Sequence, residues 1–256
     1  MAAPPDRFTD ELIEPIMVQL EGGSFQMGDD TGRDDEKPEH HVTVSAFMIA
    51  MYPVSNAEYA VFLRRTDHPT PKQWGQAPFD RPDRPVCGVS WLDAVAYADW
   101  LTAETGTRYH LPTEAQREFA ARGGESGLTY PWGNDPLPLE GPFTRGAGLP
   151  EFRGPLQLGT PDYPGANGFG LFHMMDNVHE WTADYYDPDY YQSSPHPQVD
   201  PRGPLTPRPR RAARGGSWRH DIKFTTNAQR SSLAEDKQFT DFGFRLAASK
   251  GFEYIR

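Results

Sequence analysis

The sequence has 256 residues, of which 24 are glycine and 26 are proline, and a chain so rich in residues that interrupt regular structure is not typical of a long helical bundle or a coiled coil. Because 37% of its residues are hydrophobic, it can still bury the core of one large domain, which we expect to span residues 1–256. Its 25 basic and 36 acidic residues give a net charge of −11, which disfavours nucleic acid and anionic membrane surfaces as partners.

The single cysteine, Cys87, limits the sulfur chemistry of this chain. It excludes an internal disulfide and any Cys-x-x-Cys motif for zinc or thiol exchange, and its apolar surroundings predict a small buried side chain. The first 15 residues have neither the basic nor the apolar segment of a secretion signal, and no run approaches the roughly 18 apolar residues of a membrane span. We therefore expect a cytoplasmic protein.

Alternating apolar residues near the N terminus predict two strands. These lie within residues 16–28 and 40–48, where Val42, Val44 and Phe47 alternate with polar neighbours. The intervening residues 29–36 are rich in aspartate and glutamate, so we expect a solvated loop that joins the two strands.

Three helices are predicted by the residues at their ends. They begin after Ser55, Ser90 and Thr113, and each of these caps has an acidic or amide side chain three residues later, which is the spacing of a reciprocal capping box. Gly106 and Gly123 are predicted to end the second and third helices, since glycine tolerates the left-handed conformation found at helix ends. After Gly123, glycine and proline recur so often that we expect loops and short strands.

A basic segment at residues 201–217 has no acidic residue and carries five arginines, namely Arg202, Arg208, Arg210, Arg211 and Arg214. One interpretation is an exposed loop whose charges are solvated. The other is a docking surface for an anionic substrate or an acidic protein partner. The sequence leaves both interpretations open.

Eight segments, in the same order, resemble the formylglycine-generating enzyme, or sulfatase-modifying-factor, family. They are GGSFQMG (22–28), YPVSNAEYAVFL (52–63), PVCGVSWLDAVAYADWL (85–101), YHLPTEAQREFAARGG (109–124), YPWGN (130–134), NGFGLFHMMDNVHEWT (167–182), RGGSW (214–218) and GFRLA (243–247). The resemblance covers about residues 18–248 and implies a loop-rich α+β fold like that of C-type lectins, with short antiparallel strands and two or three helices. The family contains copper-dependent oxidases, iron-dependent sulfoxide synthases, proteins of pyoverdine maturation and non-catalytic paralogues, so the fold alone does not give the function.

In formylglycine-generating enzymes, the resemblance implies, RGGS is followed by two catalytic cysteines whose thiolates hold copper(I). Here RGGS ends at Ser217, and the two cysteine positions hold His220 and Thr225. Neither side chain can replace a thiolate, so we exclude formylglycine generation by that mechanism. Ser217 is retained and is a candidate catalytic residue together with His220.

A second histidine stands at a family position of the same groove. The family usually has Asn-Val-Trp-Glu-Trp, whereas this chain has His179 in place of the first tryptophan. If the family geometry holds, His179 and His220 approach one groove and ligate iron or copper, with an oxygen from Asp221 or the substrate, or one of them acts as a base. The alternative is that both are polar replacements lining a cleft. The candidate substrate-binding residues around them are Arg214, Arg219, Asp221 and Thr225.

The family also binds structural calcium, and the resemblance implies a ligand set for it here. By position, the ligands are the His173 side chain, the carbonyls of Asp176 and Val178, and the Glu180 carboxylate. Because calcium prefers hard oxygen donors, the imidazole predicts a site that is weakened, empty or taken by another ion. The Ala-Asn pair of the other family calcium site does not occur in residues 135–159, so we expect that site to be absent.

Three further histidines and two arginines are interpreted as structural. His40 and His41 stand at a strand entry, and His110 precedes a helix. Arg230 and Arg245 occupy family positions that imply internal hydrogen bonding, because a planar guanidinium can join several loop carbonyls.

Two functions remain open. The first is an atypical, oxidoreductase-like member of the family, dependent on a histidine-held transition metal and acting on a small molecule or a peptide. The alternative is a non-catalytic binding or regulatory module, in which the lectin-like scaffold presents its loops to a protein partner or a ligand.

Overall fold

The structure, a computed structural model, describes residues 9–135, 157–158, 165–220 and 225–249. The strands in these ranges are β1 (Met17–Leu20), β2 (Gly23–Met27), β3 (His40–Val44), β4 (Phe47–Ala50), β5 (Tyr109–His110), β6 (His179–Tyr185), β7 (Gln198–Val199), β8 (Arg211–Arg214), β9 (Arg230–Leu233), β10 (Phe242–Phe244) and β11 (Ala247–Ala248). The helices are α1 (Asn56–Arg65), α2 (Trp91–Thr105), α3 (Glu114–Arg122) and the short α4 (Tyr190–Ser193). Short strands, few helices and long connections confirm the predicted α+β class. Among the described helices, none has the length and apolar character to cross a membrane.

The three longer helices begin as predicted, and α2 and α3 also end as predicted. Ser55, Ser90 and Thr113 each accept a hydrogen bond from the backbone N–H three residues on, and the side chain there bonds back to the cap. Gly106 and Gly123 end α2 and α3 in the left-handed conformation, with φ of 75° and 64°. At Gly123 a side chain is also excluded sterically, because a Cβ would lie 2.9 Å from a backbone nitrogen of another loop.

The two predicted N-terminal strands are β2 and β3, which pair antiparallel and are joined by residues 28–39. The outer ends of the same segments form β1 and β4, which pair with each other in a different sheet. The joining loop is not wholly solvated, contrary to our expectation. Glu36 is only 3% exposed, its carboxylate accepts the Arg33 N–H at 3.1 Å, and burial raises its pKa.

The strands form three small sheets in the orders β1-β4-β11-β5, β10-β6-β8-β9 and β2-β3-β7. We call the second of these the central sheet. In the central sheet, β6 pairs parallel with β10 and antiparallel with β8. In the third sheet, β3 pairs parallel with β7. The expected antiparallel pairing therefore describes only part of the fold.

The central sheet lies between α2 and α3. On the α2 side, Trp181 of β6 and Phe244 of β10 pack with Tyr97 and Leu101 of α2 in an apolar cluster. Alternate residues of a strand face opposite sides of a sheet, so the neighbours of Trp181 along β6 face α3. That second side is charged rather than apolar.

Glu180 of β6 is the centre of a buried ion-pair group on the α3 side. Its carboxylate accepts hydrogen bonds from Arg117 of α3 at 2.7 Å and from Arg245 at 2.9 and 3.0 Å. All three side chains are at most 1% exposed. Arg245 also donates to the carbonyls of Ala50 and Phe172, which is the loop-joining arrangement predicted for it.

A second buried group joins α3 to β8 and β9. Glu114 of α3 accepts from Arg230 at 2.7 and 3.0 Å and from Arg214 at 3.3 Å. Arg214 also pairs with Glu118 and donates to the Asn227 carbonyl at 3.0 Å. Because both guanidinium groups are enclosed by acceptors, Arg214 and Arg230 stabilise the packing of α3 against the central sheet.

Candidate metal centre

The pairing of β6 with β10 sets the position of two of the three metal-binding candidates. His179 is the first residue of β6, and its Cα partner in the parallel β10 is Phe242. Asp241 therefore directly precedes β10 beside His179, and its carbonyl accepts the His179 N–H at 2.9 Å. His179 faces the side of the sheet opposite to its neighbour Glu180, since side chains alternate along a strand.

The third candidate arrives from the turn that follows β8. Within this turn the N–H of His220 donates to the Ser217 carbonyl at 2.9 Å, which brings the imidazole back towards β6. The rings of His179 and His220 have centroids 4.9 Å apart. The two imidazoles predicted from distant segments therefore lie side by side.

Together, His179, His220 and Asp241 form a cluster of two nitrogens and one carboxylate oxygen. One ligand atom from each residue lies within 4.8 Å of the other two. Ser217 is adjacent, because its hydroxyl donates to Asp241 Oδ2 at 3.1 Å and its oxygen lies 3.5 Å from His220 Nδ1. This arrangement can hold a first-row transition metal with two imidazoles and one carboxylate.

The hydrogen bonds of His179 define its tautomer. Its Nδ1 lies 2.7 Å from the carbonyl of Gly215, which can only accept, so Nδ1 carries the proton and Nε2 carries the lone pair. Metal-binding histidines commonly donate their second N–H to a carbonyl in this way, which fixes the ring orientation.

Desolvation disfavours the charged form of both imidazoles. Burial, and then the neighbouring His220, lowers the pKa of His179 to about 4. His220 is exposed as a whole residue, yet desolvation still lowers the pKa of its ring. Neutral imidazole is the form that ligates metals.

The cluster opens into a groove of about 400 Å³. Its other walls include Ser231 and Leu233 of β9, Phe242 of β10, and the exposed side chains of Arg219 and Phe239. Because the groove is open to solvent on this side, a ligand can reach the three candidate metal ligands.

The predicted substrate-binding residues are spread over different environments. Arg219 lines the groove, with Nη1 3.6 Å from Asp241 Oδ1. Thr225 is 1% exposed and packs closely against Gly216. Arg214 does not line the groove, because its guanidinium is enclosed in the buried ion-pair group of α3. Asp221 lies outside the described residues.

The carboxylate beside the two histidines, Asp241, was missed by sequence reasoning. The sequence predicts an oxygen ligand from Asp221 or from the substrate, and Asp221 lies outside the described residues. The parallel pairing of β6 and β10 supplies Asp241, and the one available signal was its position just before the GFRLA segment.

The calcium positions do not fit a calcium ion. Both oxygens of Glu180 accept from Arg117 and Arg245, and Arg117 also donates to the Met174 carbonyl at 2.7 Å. The guanidinium groups of Arg117 and Arg245 thus surround the Glu180 carboxylate, where the calcium ion was expected. Upstream, His173 has a positive φ of 57° and its Nδ1 lies 3.2 Å from Asp176 Oδ2. The Val178 side chain is buried in the core.

A copper–thiolate centre does not fit either. The only cysteine of the chain, Cys87, is buried beside the Pro85 carbonyl, and burial raises the pKa of its thiol. The predicted small buried side chain is confirmed, and the donors at the groove are nitrogen and oxygen.

The basic segment is largely paired with acidic and aromatic neighbours. Arg208 pairs with Asp187 at 2.9 Å, and Arg211 pairs with Glu235 at 3.0 Å while stacking on Trp91. These arginines contribute to the packing of the surface loops. Arg208 and Arg211 are therefore neither simply solvated nor free to form a docking surface for an anion.

Comparisons with known proteins support the resemblance seen in the eight segments. The family model of the Sulfatase-modifying factor enzyme 1-like domain matches residues 5–250. A formylglycine-generating enzyme from Thermomonospora curvata is 33% identical over 95% of this chain and 96% of that protein. The inactive C-alpha-formylglycine-generating enzyme 2 of Mus musculus is 31% identical over 93% of this chain and 87% of that protein. The solved structure of PvdO from Pseudomonas aeruginosa has a TM-score of 0.75 at 27% identity, covering 97% of this chain and 99% of that chain.

Proposed function

Since this chain belongs to the sulfatase-modifying-factor family, we propose that it is a metal-dependent oxidase or oxygenase whose metal is held by His179, His220 and Asp241 rather than by cysteines. The observation that carries the proposal is the convergence of these three side chains, with ligand atoms within 4.8 Å of one another, at the floor of an open groove.

The donor set favours iron. Copper(I) prefers soft sulfur ligands, which this groove lacks, whereas two imidazoles and one carboxylate with open positions are typical of non-haem iron(II) oxygenases. Such an ion would supply redox chemistry with dioxygen as the electron acceptor.

The surrounding residues have separate tasks in this proposal. The Gly215 carbonyl orients His179, and the Ser217 hydroxyl orients the Asp241 carboxylate. Arg219, half exposed on the groove wall, offers a cation to an anionic group of the substrate. The groove volume of about 400 Å³ and its opening to solvent suit a small molecule or an extended peptide side chain.

Metal analysis of the purified protein tests this function. After anaerobic incubation with iron(II) and desalting, we expect close to one iron per chain in the unaltered protein. The double variant His179→Ala with His220→Ala is expected to abolish iron binding. Asp241→Asn alone is expected to weaken iron binding at least tenfold. His41→Ala is the matched control, because His41 is exposed on β3 outside the cluster. Metal that survives the double substitution, or is lost equally in the control, would refute the assignment.

The second candidate function is a non-catalytic binding module. It is favoured by the relative from Mus musculus, which is named inactive and is 31% identical to this chain. The same measurement separates the two functions, since a binding module predicts no stoichiometric transition metal in the groove.

A further inference from the structure

A second cavity, of about 380 Å³, lies where the segment before β1 meets the first turn of α1. We call it the α1 cavity. The residues that line it differ from those that line the groove of the metal centre. It is therefore a separate site, to which the proposed function assigns no role.

The walls of the α1 cavity are mainly apolar. Their apolar surface comes from several separate segments, through Ile13, Pro15, Ile16, Ala57, Pro82 and Leu158. Main-chain hydrogen bonds hold these segments in place. The Met51 N–H donates to the Ile16 carbonyl at 2.8 Å, and the Ala57 N–H donates to that of Pro82 at 3.1 Å. The walls therefore exist before any ligand arrives.

The charged residues of the lining are all acidic. They are Glu14, Glu58 and Asp83, and the described lining has no lysine, arginine or histidine. Asp83 has a basic partner, because Arg81 Nε lies 3.3 Å from its carboxylate. Glu14 is exposed at the rim and accepts only the Tyr109 hydroxyl, at 3.4 Å, among the described residues. A lining of this charge favours a cationic ligand.

Glu58 has a fixed position in the first turn of α1 and lacks a counter-ion. Its Oε2 accepts the N–H of Ser55 at 2.7 Å and the Ser55 hydroxyl at 2.6 Å, as the partner in the capping box. Its Oε1 accepts no hydrogen bond from the described part of the chain. Burial raises the pKa of Glu58, because the hydrogen bonds from Ser55 offset only part of the desolvation and no basic side chain contributes. A bound cation would supply the missing charge.

We propose that the α1 cavity binds a small organic cation, namely an amine that carries an aromatic or branched apolar group. The ammonium would donate to Glu58 Oε1, with the Glu14 carboxylate nearby at the rim, and the apolar group would lie against the apolar walls. Tyr52 also lines the cavity and offers an aromatic surface, which attracts cations. The volume is sufficient, because a cavity of about 150 Å³ holds a benzene ring and the remaining space accommodates an aminoethyl arm. This binding is independent of the metal centre.

The amine 2-phenylethylamine is the direct probe, and 2-phenylethanol is its uncharged match. Isothermal titration of the purified full-length protein should show saturable binding of the amine, at least tenfold tighter than that of the alcohol. Glu14→Gln with Glu58→Gln should weaken amine binding at least tenfold, because the ammonium loses both carboxylates. Glutamine at position 58 preserves the capping box, so α1 should remain intact. Glu11→Gln with Glu21→Gln is the matched control, since it removes two exposed carboxylates that do not line the cavity.

A further variant tests the apolar wall without removing charge. Ala57→Phe should fill the cavity and abolish amine binding while the circular dichroism spectrum stays unchanged. The proposal would be overturned by equal affinity for the amine and the alcohol, by an effect of the control variant as large as that of Glu14→Gln with Glu58→Gln, or by binding that survives Ala57→Phe. Absence of binding at millimolar 2-phenylethylamine would overturn it as well.

Discussion

Replacing Glu180 with glutamine is expected to destabilise the folded protein strongly and without regard to calcium. The carboxylate is fully buried and receives three hydrogen bonds, at 2.7, 2.9 and 3.0 Å, from Arg117 and Arg245. Glutamine keeps the shape and one acceptor oxygen but removes the negative charge. The buried guanidinium groups of Arg117 and Arg245 then lose the negative charge that they share.

The magnitude follows from this geometry. Removing one partner of a buried ion pair costs about 3–5 kcal/mol, because the remaining charge is left desolvated and unpaired. In a chain of this size each kcal/mol lowers the melting temperature by about 2–4 °C. We therefore expect Glu180→Gln to lower it by about 6–20 °C.

Acid pH provides an internal check on the charge argument. Burial alone would raise the pKa of Glu180, but Arg117 and Arg245 together hold it below its ordinary value of 4.5. The folded state therefore binds this proton less readily than the unfolded state, so the stabilisation is complete above pH 4.5 and is lost as the pH falls further. The difference in stability between the unaltered protein and Glu180→Gln should therefore become smaller below pH 4.5.

Urea and thermal unfolding, each with excess calcium and with a chelator, measure these effects. Glu104→Gln is the matched control, because Glu104 forms a partly exposed pair with Arg65 at 2.7 Å and should contribute less than about 1 kcal/mol. Equal stability of Glu180→Gln and the unaltered protein would refute the reasoning. So would a chelator that lowers the unaltered protein to the level of the variant, since Glu180 would then act through calcium.

Two further predictions concern single side chains. Ser217→Ala removes the hydroxyl that orients Asp241, so the affinity for iron should fall by about 10–100-fold in a chelator competition. The control is Ser24→Ala, at an exposed serine, which should leave the affinity for iron unchanged. If Ser217→Ala also leaves it unchanged, Asp241 needs no such support. Asp184→Asn should raise stability at neutral pH, because burial raises the pKa of Asp184 to about 8 from 3.8. The unaltered protein therefore loses stability as the pH rises from about 3.8 to about 8, where the folded state holds a proton that the unfolded state has released. Parallel stability curves of the two proteins from pH 5 to pH 9 would contradict this explanation.

The parts of the fold that sequence could predict are those set by neighbouring residues. The capping boxes at Ser55, Ser90 and Thr113 and the left-handed ends at Gly106 and Gly123 depend on side chains within a few positions of each other. Such signals are complete in a single stretch of sequence. The family resemblance added the convergence of two distant loops, which no local pattern contains.

The surroundings of two charged groups could not be predicted locally, because long-range pairing decides which partner a charged group meets. The sequence analysis named Asp221 or the substrate as the oxygen ligand, and it did not name Asp241, which the parallel register of β6 and β10 brings beside His179. Arg214 was expected to bind substrate because it belongs to the basic segment at residues 201–217. Its pairing with Glu114 and Glu118, about a hundred residues upstream, places it in the core instead.

The alternation of β6 connects the scaffold with the candidate metal centre. His179 and Glu180 are consecutive, so one faces the groove while the other faces the buried arginines of the α3 side. Glu180 is held by three short charged hydrogen bonds, which fix the height and twist of the strand at this point. The backbone of His179 is therefore held in place, and the hydrogen bond to the Gly215 carbonyl fixes the orientation of its imidazole ring. A metal centre needs ligands held to within about 0.5 Å, and here the rigidity comes from the opposite face of the same strand.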